Sequence, residues 1–322
     1  MNAPHVPVML DEVLEYLAPA ASRPGAIAVD ATLGAGGHTE ALLSAHPGLT
    51  VIGVDRDPTA LELASKRLAG FGERFVPARA VYDAIPDVLA ASGHETADAI
   101  LFDLGVSSMQ LDQPERGFAY AQDSPLDMRM NPDDELTAET VVNTYPVPEL
   151  VRILREYGEE KFAPRVAKAI AASRAKAPIT SSRELADLVR DAIPAATRRT
   201  GGNPAKRTFQ ALRIEVNGEL DTWRAALPAA LDSLAPGGRV VVMSYHSLED
   251  RITKHELARR ASSTTPAGLP VDLPGTAPTF RLLTRKAQQP TQTELDRNPR
   301  SAPARLRAAE RVATSTGEGG DS

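Results

Sequence analysis

Short apolar runs alternate with amphipathic segments through the first third of the chain. The runs 26–33, 50–55 and 97–105 are dominated by apolar residues, and 74–80 is a weaker run of the same kind. Strands buried on both faces of a parallel sheet have this composition. The segments between them carry apolar residues at helical spacing, one of them with Pro58 in its first turn. The pattern predicts right-handed crossovers and a parallel sheet covered by helices.

This alternation stops in the middle of the chain. Residues 113–213 contain helical patterns and no convincing buried strand, and a fifth core strand follows at 239–245. A helical block between the fourth and fifth strands predicts an inserted all-α domain. Two further segments, 280–286 and 304–312, are predicted to be final edge strands. The predicted organisation is a discontinuous α/β domain at 1–112 and 214–312, a helical insert at 113–213 and a disordered tail at 313–322.

Composition narrows the class of protein. The 322 residues are 42% hydrophobic and 24% charged, which is typical of a folded chain with a sizeable core. No apolar run approaches the ~20 residues of a membrane span, and no secretory signal is visible at the N-terminus. The chain has no cysteine and six scattered histidines, so we expect neither disulfides nor a metal site, and a cytoplasmic location. With a net charge of −6, a nucleic-acid partner would require a local basic surface.

A glycine-rich turn follows the first predicted strand and opens a helix. Glycines at this place let backbone N–H groups approach a ligand. The dinucleotide pattern Gly-x-Gly-x-x-Gly fails, because its third position falls on Thr39 when it starts at Gly34. Asp30, four residues before Gly34, would also repel a pyrophosphate. The spacing from Asp30 to Gly34 and Gly36 favours a ligand with a sulfonium, an amine and a ribose, which describes S-adenosylmethionine.

Two more aspartates end predicted strands. Asp55 ends the second strand, where an acidic residue can accept hydrogen bonds from both ribose hydroxyls; the alternative is a helix cap. Asp103 ends the fourth strand, beside the point where the chain order of the sheet reverses. It is a candidate for contacting both cofactor and substrate, and the alternative is a residue that satisfies only loop amides.

Six blocks of the sequence stand out: HVPVMLDEVL, DATLGAGGHTE, GVDRDPTA, LFDLGVSSMQLDQPERGFAYAQDSPLDMRMNP, RTFQALRIEVNGEL and GGRVVVMSYHSLEDR. Together they resemble those of one family, the bacterial small-subunit rRNA cytosine-N4 methyltransferases (the MraW family). The resemblance runs from about His5 to Arg311. It implies a class I, Rossmann-like methyltransferase fold with an inserted helical domain that recognises the substrate. It also implies methyl transfer from S-adenosylmethionine to the N4 amine of a cytidine in the decoding region of 16S rRNA, within the small ribosomal subunit.

The resemblance also assigns cofactor contacts. An aromatic contact of the family aligns with Tyr82 in a loosely matching segment. Ala35 stands where relatives often carry a basic residue, which leaves the backbone of the turn unchanged. The remaining positions that match the family's cofactor contacts are Gly36, Gly37, His38, Asp55, Asp103 and Gln110.

Candidate contacts to the substrate come from charge and aromatic residues. Asp103 is the candidate catalytic residue, since a carboxylate can accept a hydrogen bond from the N4 amine. His246 follows the fifth strand and is a second candidate, with an ordinary turn histidine as the alternative. Two acid-free basic segments, 161–178 and 195–213, are candidate phosphate contacts or else solvated helix faces. Phe118 would stack on a base, with a core position as the alternative. The predicted RNA-binding residues are Phe118, Arg165, Lys168, Lys206, Arg207 and Arg213.

Two other functions remain open on the sequence. The same cofactor fold could methylate another RNA or a protein, although the basic insert favours a large anionic substrate. An RNA-binding assembly protein with a vestigial fold is the third reading, and the intact strand-end aspartates argue against it. The oligomeric state and the choice between naked rRNA and assembled subunit stay undetermined.

Overall fold

The fold is that of a computed structural model, which describes residues 7–118, 123–195, 203–266, 273 and 275–313. The chain forms two compact units. The first unit contains residues 1–105 and 222–322, and the second contains 106–221. The predicted tail beyond residue 313 lies outside the described residues.

Among the described residues, seven strands form one sheet in the order β3-β2-β1-β4-β5-β7-β6. The first five strands run parallel, and β7 is antiparallel to both of its neighbours. This mostly parallel sheet confirms the predicted α/β class I methyltransferase fold. The strands are β1 (Ile27–Asp30), β2 (Thr50–Asp55), β3 (Phe75–Arg79), β4 (Ala97–Asp103), β5 (Leu234–Ser244), β6 (Phe280–Leu282) and β7 (Arg305–Arg311).

The end of the sheet differs from the prediction in one respect. Both final strands were expected at an edge, but β7 pairs with β5 on one side and β6 on the other. Its burial pattern explains this position, because Leu306, Ala308 and Ala309 are fully buried. Only β6, with three residues, is the edge strand on this side. Short edge strands of this kind limit unwanted pairing with other chains.

Helices connect the strands, as the periodicity predicted. Aspartate caps the helix that begins at Pro58: the side chain of Asp57 accepts a hydrogen bond from Thr59 N. The helices are α1 (Leu10–Ala21), α2 (Gly37–Ala45), α3 (Pro58–Leu68), α4 (Ile85–Ala91), α5 (Ser108–Asp112), α6 (Ala138–Thr144), α7 (Val147–Glu156), α8 (Ala163–Arg174), α9 (Ser182–Ala192), α10 (Ala205–Asn217), α11 (Glu219–Asp232), α12 (Ser247–Arg260) and α13 (Gln292–Arg297). No helix in the described part of the chain is both long and apolar enough to cross a bilayer.

The core of the first unit lies on both faces of the sheet. Side chains of successive strand residues point to opposite faces, so Ala28 and Leu101 lie in one apolar cluster. Their neighbours Val29 and Ile100 lie in another, which also holds Trp223. Burial on both faces explains why these strands are nearly continuous apolar runs. It also fixes the strand ends firmly, because a shift of one residue would exchange the two faces.

The second unit has its own helical core. Leu150, Val166 and Leu212, from α7, α8 and α10, are buried in one cluster of this unit. The unit is longer than the predicted insert at 113–213, because it begins at Val106 and ends at Asp221. Leu111 packs against the helical core, and the Asn217 side chain accepts a hydrogen bond from Met130 N at 2.7 Å. These contacts bind the flanking residues to the helical unit.

Candidate functional site

Three aspartates stand at the carboxyl edge of the sheet, where open α/β folds bind ligands. The register pairs Asp30 with Gly53 on one side and with Leu101 on the other. β2 and β4 therefore each extend two residues beyond the end of β1, and Asp55 and Asp103 are their last residues. The central strand stops short of its neighbours, and the glycine-rich turn begins in the space this leaves.

The glycine-rich turn has the backbone that its sequence predicts, with φ of 51° at Gly34 and 77° at Gly36. Glycine adopts such values at no steric cost, whereas most residues with a Cβ adopt them at a cost. The structure adds a packing reason: a Cβ on Gly36 would lie 3.1 Å from Leu68 Cδ1, and one on Gly37 would lie 2.6 Å from Pro7 Cγ. The turn is thus held close to α3 and to the segment before α1, so close packing is one reason for glycine at Gly36 and Gly37.

Asp30 is engaged within the turn. Its side chain is almost fully buried and accepts hydrogen bonds from the Thr39 hydroxyl at 2.7 Å and from Thr32 N at 3.3 Å. Burial raises the pKa of Asp30, and the hydrogen bond from Thr39 and the nearby His38 oppose that rise. These hydrogen bonds favour a role for Asp30 in shaping the turn. They do not test its predicted direct contact with a cofactor.

Asp55 also holds the turn, but it keeps acceptor capacity. Its Oδ2 accepts from Gly34 N at 2.8 Å, and its Oδ1 accepts from Asp57 N at 2.9 Å. A carboxylate oxygen has two acceptor positions, so each oxygen can take one more donor. Burial raises the pKa of Asp55 to about 6, against the two backbone hydrogen bonds, which lower it. The carboxylate is therefore oriented by the backbone and ionised at neutral pH.

Asp103 lies between a tyrosine and a histidine. Tyr245 donates a hydrogen bond to Asp103 Oδ1 at 2.6 Å, while Asp103 Oδ2 lies 3.8 Å from His38 Nδ1. His38 Nε2 is 3.0 Å from the carbonyl oxygen of Val8, which can only accept, so this nitrogen carries a proton. Burial raises the pKa of Asp103, although a quarter of its side chain stays exposed. The group is thus placed to accept a hydrogen bond from a ligand.

Tyr82 follows β3 and lies at the same edge. Its ring meets Phe102 edge-on, with centroids 6.1 Å apart, and it meets Trp223 at the same distance. Phe102 and Trp223 are fully buried and in mutual contact, with centroids 4.8 Å apart. The three rings form an apolar wall beside the ends of β3 and β4, and Tyr82 is its partly exposed member.

Two predicted ligand contacts belong to the second unit. Gln110 lies in α5, where its side chain accepts from Ser107 N at 3.2 Å and its backbone N–H donates to the Ser107 hydroxyl. This reciprocal pair caps the helix. Phe118 is buried in the helical core, so packing explains it better than stacking on a base. The burial of Phe118 favours the core role, which was the alternative to stacking at this position.

His246 is the N-cap residue that precedes α12, and 8% of its side chain is exposed. Its Nε2 lies 3.1 Å from Glu249 Oε1, while neither ring nitrogen makes a well-aligned hydrogen bond within the described residues. Glu249 Oε2 accepts from the backbone N–H groups of Tyr245 and His246, at 2.8 and 3.2 Å. Glu249 thus fixes the turn that follows β5. His246 is placed at the carboxyl edge, as predicted, and it stays a candidate contact.

The predicted basic surface is only partly available. Arg165 and Lys168 on α8, and Lys206 and Arg207 on α10, are exposed. Arg213 differs, because its guanidinium forms two hydrogen bonds of 2.8 Å with Glu219 and is therefore occupied. Residues 196–202, in the second basic segment, lie outside the described residues. The structure leaves four exposed cations of the predicted set as candidate phosphate contacts.

Sequence reasoning missed Tyr245 and Thr39. Tyr245 directly follows β5, beside the end of β4, so the strand-end rule that selected Asp103 would also have selected it. Thr39 stands at the position that excluded a dinucleotide pattern, and its hydroxyl instead holds Asp30. In both cases the residue acts on an aspartate rather than through a recognisable motif.

The sequence matches the family model described as the MraW methylase family over residues 2–312. A protein named ribosomal RNA small subunit methyltransferase H from Salinispora arenicola is 62% identical over 313 residues, which cover 97% of this chain and 84% of that protein. The protein of that name from Thermobifida fusca is 62% identical over 308 residues, which cover 96% of this chain and 93% of the relative. The family match spans the segments of this chain that contain the strand-end aspartates, the glycine-rich turn and the helical insert.

Proposed function

Since the chain belongs to the MraW methylase family, we propose that it methylates the exocyclic N4 amine of a cytidine in the decoding region of 16S rRNA. Membership of this family supports methylation of small-subunit rRNA with S-adenosylmethionine. The methylated position and atom are the proposed part. The observation that supports it most is the match over nearly the whole chain, with Asp55 and Asp103 at the edge of the sheet where the family's cofactor contacts fall. The proposed location is the cytoplasm, where bacterial small subunits are found.

The residues at the edge fit S-adenosylmethionine by their chemistry. Asp55 has one open acceptor position on each oxygen for the two ribose hydroxyls. The glycine turn brings bare backbone to this edge, although Gly34 N and Gly36 N already donate to Asp55 Oδ2 and to Leu33 O. The partly exposed ring of Tyr82 offers an apolar surface to an adenine. When bound, this cofactor supplies a methyl group made electrophilic by its sulfonium. By resemblance, we also propose His38 and Gln110 as contacts to the cofactor.

Asp103 carries the proposed chemistry at the target amine. The lone pair of cytosine N4 is delocalised into the ring, so the amine is a poor nucleophile. A carboxylate that accepts one N4–H favours a pyramidal nitrogen, which localises the lone pair and aligns it for attack. Once it has accepted the methyl group, the nitrogen is positively charged and strongly acidic. It can therefore release one proton to solvent, and no base with a pKa near neutrality is needed. His246, at the end of β5, is a candidate contact to the target base.

The exposed cations of α8 and α10 are the proposed contacts to rRNA phosphates. They would let an acidic protein hold a polyanion, because local positive charge rather than net charge governs this contact. The target base has to leave its stack to reach Asp103. We propose the small ribosomal subunit as the substrate particle, by resemblance to the family.

Transfer of labelled methyl groups tests the proposal. The pure protein is incubated with isotopically labelled S-adenosylmethionine and with small subunits, free rRNA or total protein. We expect label in the rRNA of the small subunits. Label only in protein would support the alternative of a protein methyltransferase, and label in no fraction would support a non-enzymatic assembly role.

Affinity for S-adenosylmethionine is expected to fall as the pH falls below about 6. Protons compete with the ribose for Asp55, whose pKa burial raises to about 6. Affinity should therefore be constant above this value and decrease by up to about tenfold per pH unit below it. Calorimetric Kd values between about pH 7 and about pH 5 check this. An Asp55→Asn variant lacks the titrating group and should lose this part of the dependence; an unchanged wild-type Kd would contradict the assignment.

Arg207→Glu is expected to weaken binding to small subunits several-fold and to leave cofactor affinity unchanged. Arg207 is exposed on α10 and has no acidic partner within the described residues. Loss of one phosphate contact should lower the slope of log affinity against log salt by about 1. Arg190→Glu is the matched control, since Arg190 already pairs with Asp187 and Asp191. Equal effects of the two substitutions on subunit binding would contradict a specific role for Arg207.

A further inference from the structure

Tyr245 is placed by the first turn of α12. The residue follows β5 directly, and the register pairs Asp103 with Met243 on the neighbouring strand. The Tyr245 backbone N–H donates to Glu249 Oε2 at 2.8 Å, which fixes the point where the side chain begins. From there the phenol reaches across to the end of β4, and its hydroxyl donates to Asp103 Oδ1 at 2.6 Å.

The ring of Tyr245 also lies against the loop that follows β4. Gly105 has a φ of 98°, which a residue with a side chain adopts only at a cost. A Cβ at Gly105 would lie 3.5 Å from Tyr245 Cδ2, so the ring runs along the bare backbone of this loop. Tyr245 thus holds Asp103 by its hydroxyl and the residues after Asp103 by its ring.

The other oxygen of Asp103 is not taken up in this way. Asp103 Oδ2 lies 3.8 Å from His38 Nδ1, which is too long for a hydrogen bond. A hydrogen bond on one oxygen fixes the plane of the carboxyl group and leaves the second oxygen able to accept. A quarter of the Asp103 side chain is exposed, so a donor from a ligand can reach it.

We propose that Tyr245 is a positioning residue for methyl transfer: its hydroxyl fixes Oδ1 of Asp103, so that Oδ2 accepts a hydrogen bond from the target amine. This inference rests on the proposed function, in which Asp103 contacts that amine. Tyr245 itself acts through Asp103 and does not contact the reacting atoms. Loss of its hydroxyl should affect the rate of transfer and should leave the cofactor contacts at Asp55 in place.

The charges around Asp103 give this role a signature in the pH dependence. Burial raises the pKa of Asp103; His38 and the Tyr245 hydrogen bond lower it, and the charges of Asp30 and Glu249 raise it. His38 belongs to α2, Tyr245 to the turn after β5, Asp30 to β1 and Glu249 to α12. Without the tyrosine hydroxyl, the pKa of Asp103 should rise. The acid limb of the rate profile should then move to higher pH, because more Asp103 is protonated at a given pH.

The test is the rate of methyl transfer to small subunits by Tyr245→Phe, which removes only the hydroxyl. We expect the single-turnover rate at neutral pH to fall about tenfold, with the acid limb shifted upwards and the Kd for S-adenosylmethionine within about threefold of the wild type. Tyr16→Phe is the matched control, because the Tyr16 hydroxyl donates to Gln288 at 3.1 Å and not to Asp103. It should leave the rate and the pH profile unchanged.

The outcomes separate this inference from the proposed function. A Tyr245→Phe enzyme with the wild-type rate and the wild-type acid limb would overturn the positioning role. The role would also be overturned if Tyr245→Phe lowered the rate without shifting the acid limb and Tyr16→Phe lowered the rate equally. Loss of any tyrosine hydroxyl would then have the same effect. If the wild-type protein transferred no label to rRNA, the proposed function itself would fail.

Discussion

Asp55→Ala is expected to weaken binding of S-adenosylmethionine by about 100-fold or more. The substitution removes a charged acceptor for two ribose hydroxyls, and hydrogen bonds to charged groups contribute about 1.5–3 kcal/mol each. It also leaves Gly34 N and Asp57 N without their acceptor, which loosens the glycine turn. Calorimetry with the methyl donor, and with its demethylated product, measures the effect directly.

Asp87→Ala is the matched control for this prediction. Asp87 is exposed on α4, so its removal changes the net charge by the same amount without touching the edge of the sheet. We expect its Kd to equal that of the wild type. A Kd of Asp55→Ala within about twofold of the control would show that the ribose is held elsewhere.

Asp103→Asn is expected to reduce the single-turnover rate of methyl transfer about 100-fold at saturating cofactor and subunit. The amide oxygen would take the hydrogen bond from Tyr245, as Oδ1 does in the wild type. The amide nitrogen would then occupy the position of Oδ2 and present a donor to the amine, which also donates. The variant thus loses a charged acceptor and places two donors opposite each other. Together these two changes account for an effect of this size.

The Kd for S-adenosylmethionine separates a chemical effect from a binding effect in this variant. We expect the affinity to change far less than the rate, because Asp55 still holds the ribose. If Asp103→Asn transferred methyl groups at the wild-type rate, the role of Asp103 at the amine would be wrong. If affinity and rate fell by the same factor, Asp103 would be a cofactor contact alone.

Much of the fold could be predicted because both faces of the sheet are buried. Continuous apolar runs such as 50–55 and 97–105 locate the strands, and the helical periodicity between them dictates a parallel sheet. The sequence pattern predicts the positions of the final two strands in the sheet less well. The 304–312 segment contains several arginines and resembles an edge strand. Its interior position depends on pairing with two partners distant in sequence, which local pattern does not encode.

The site was predictable in outline for a related reason. The carboxyl ends of parallel strands meet at one edge, so Asp55 and Asp103 could be placed together from sequence alone. What each side chain does there depends on partners from other segments. Asp30 is held by Thr39, and Arg213 by Glu219, so neither is as free as the sequence indicated. Phe118 shows the same limit, since burial in a helical core is decided by tertiary packing.

The central claim is the identity of the methylated atom. Small subunits that lack the modification are incubated with the protein and S-adenosylmethionine, and the rRNA is digested to nucleosides for mass spectrometry. We expect N4-methylcytidine from one site in the decoding region, formed by the wild type and reduced in Asp103→Asn. A methyl group on another base, on a ribose or on a ribosomal protein would contradict it.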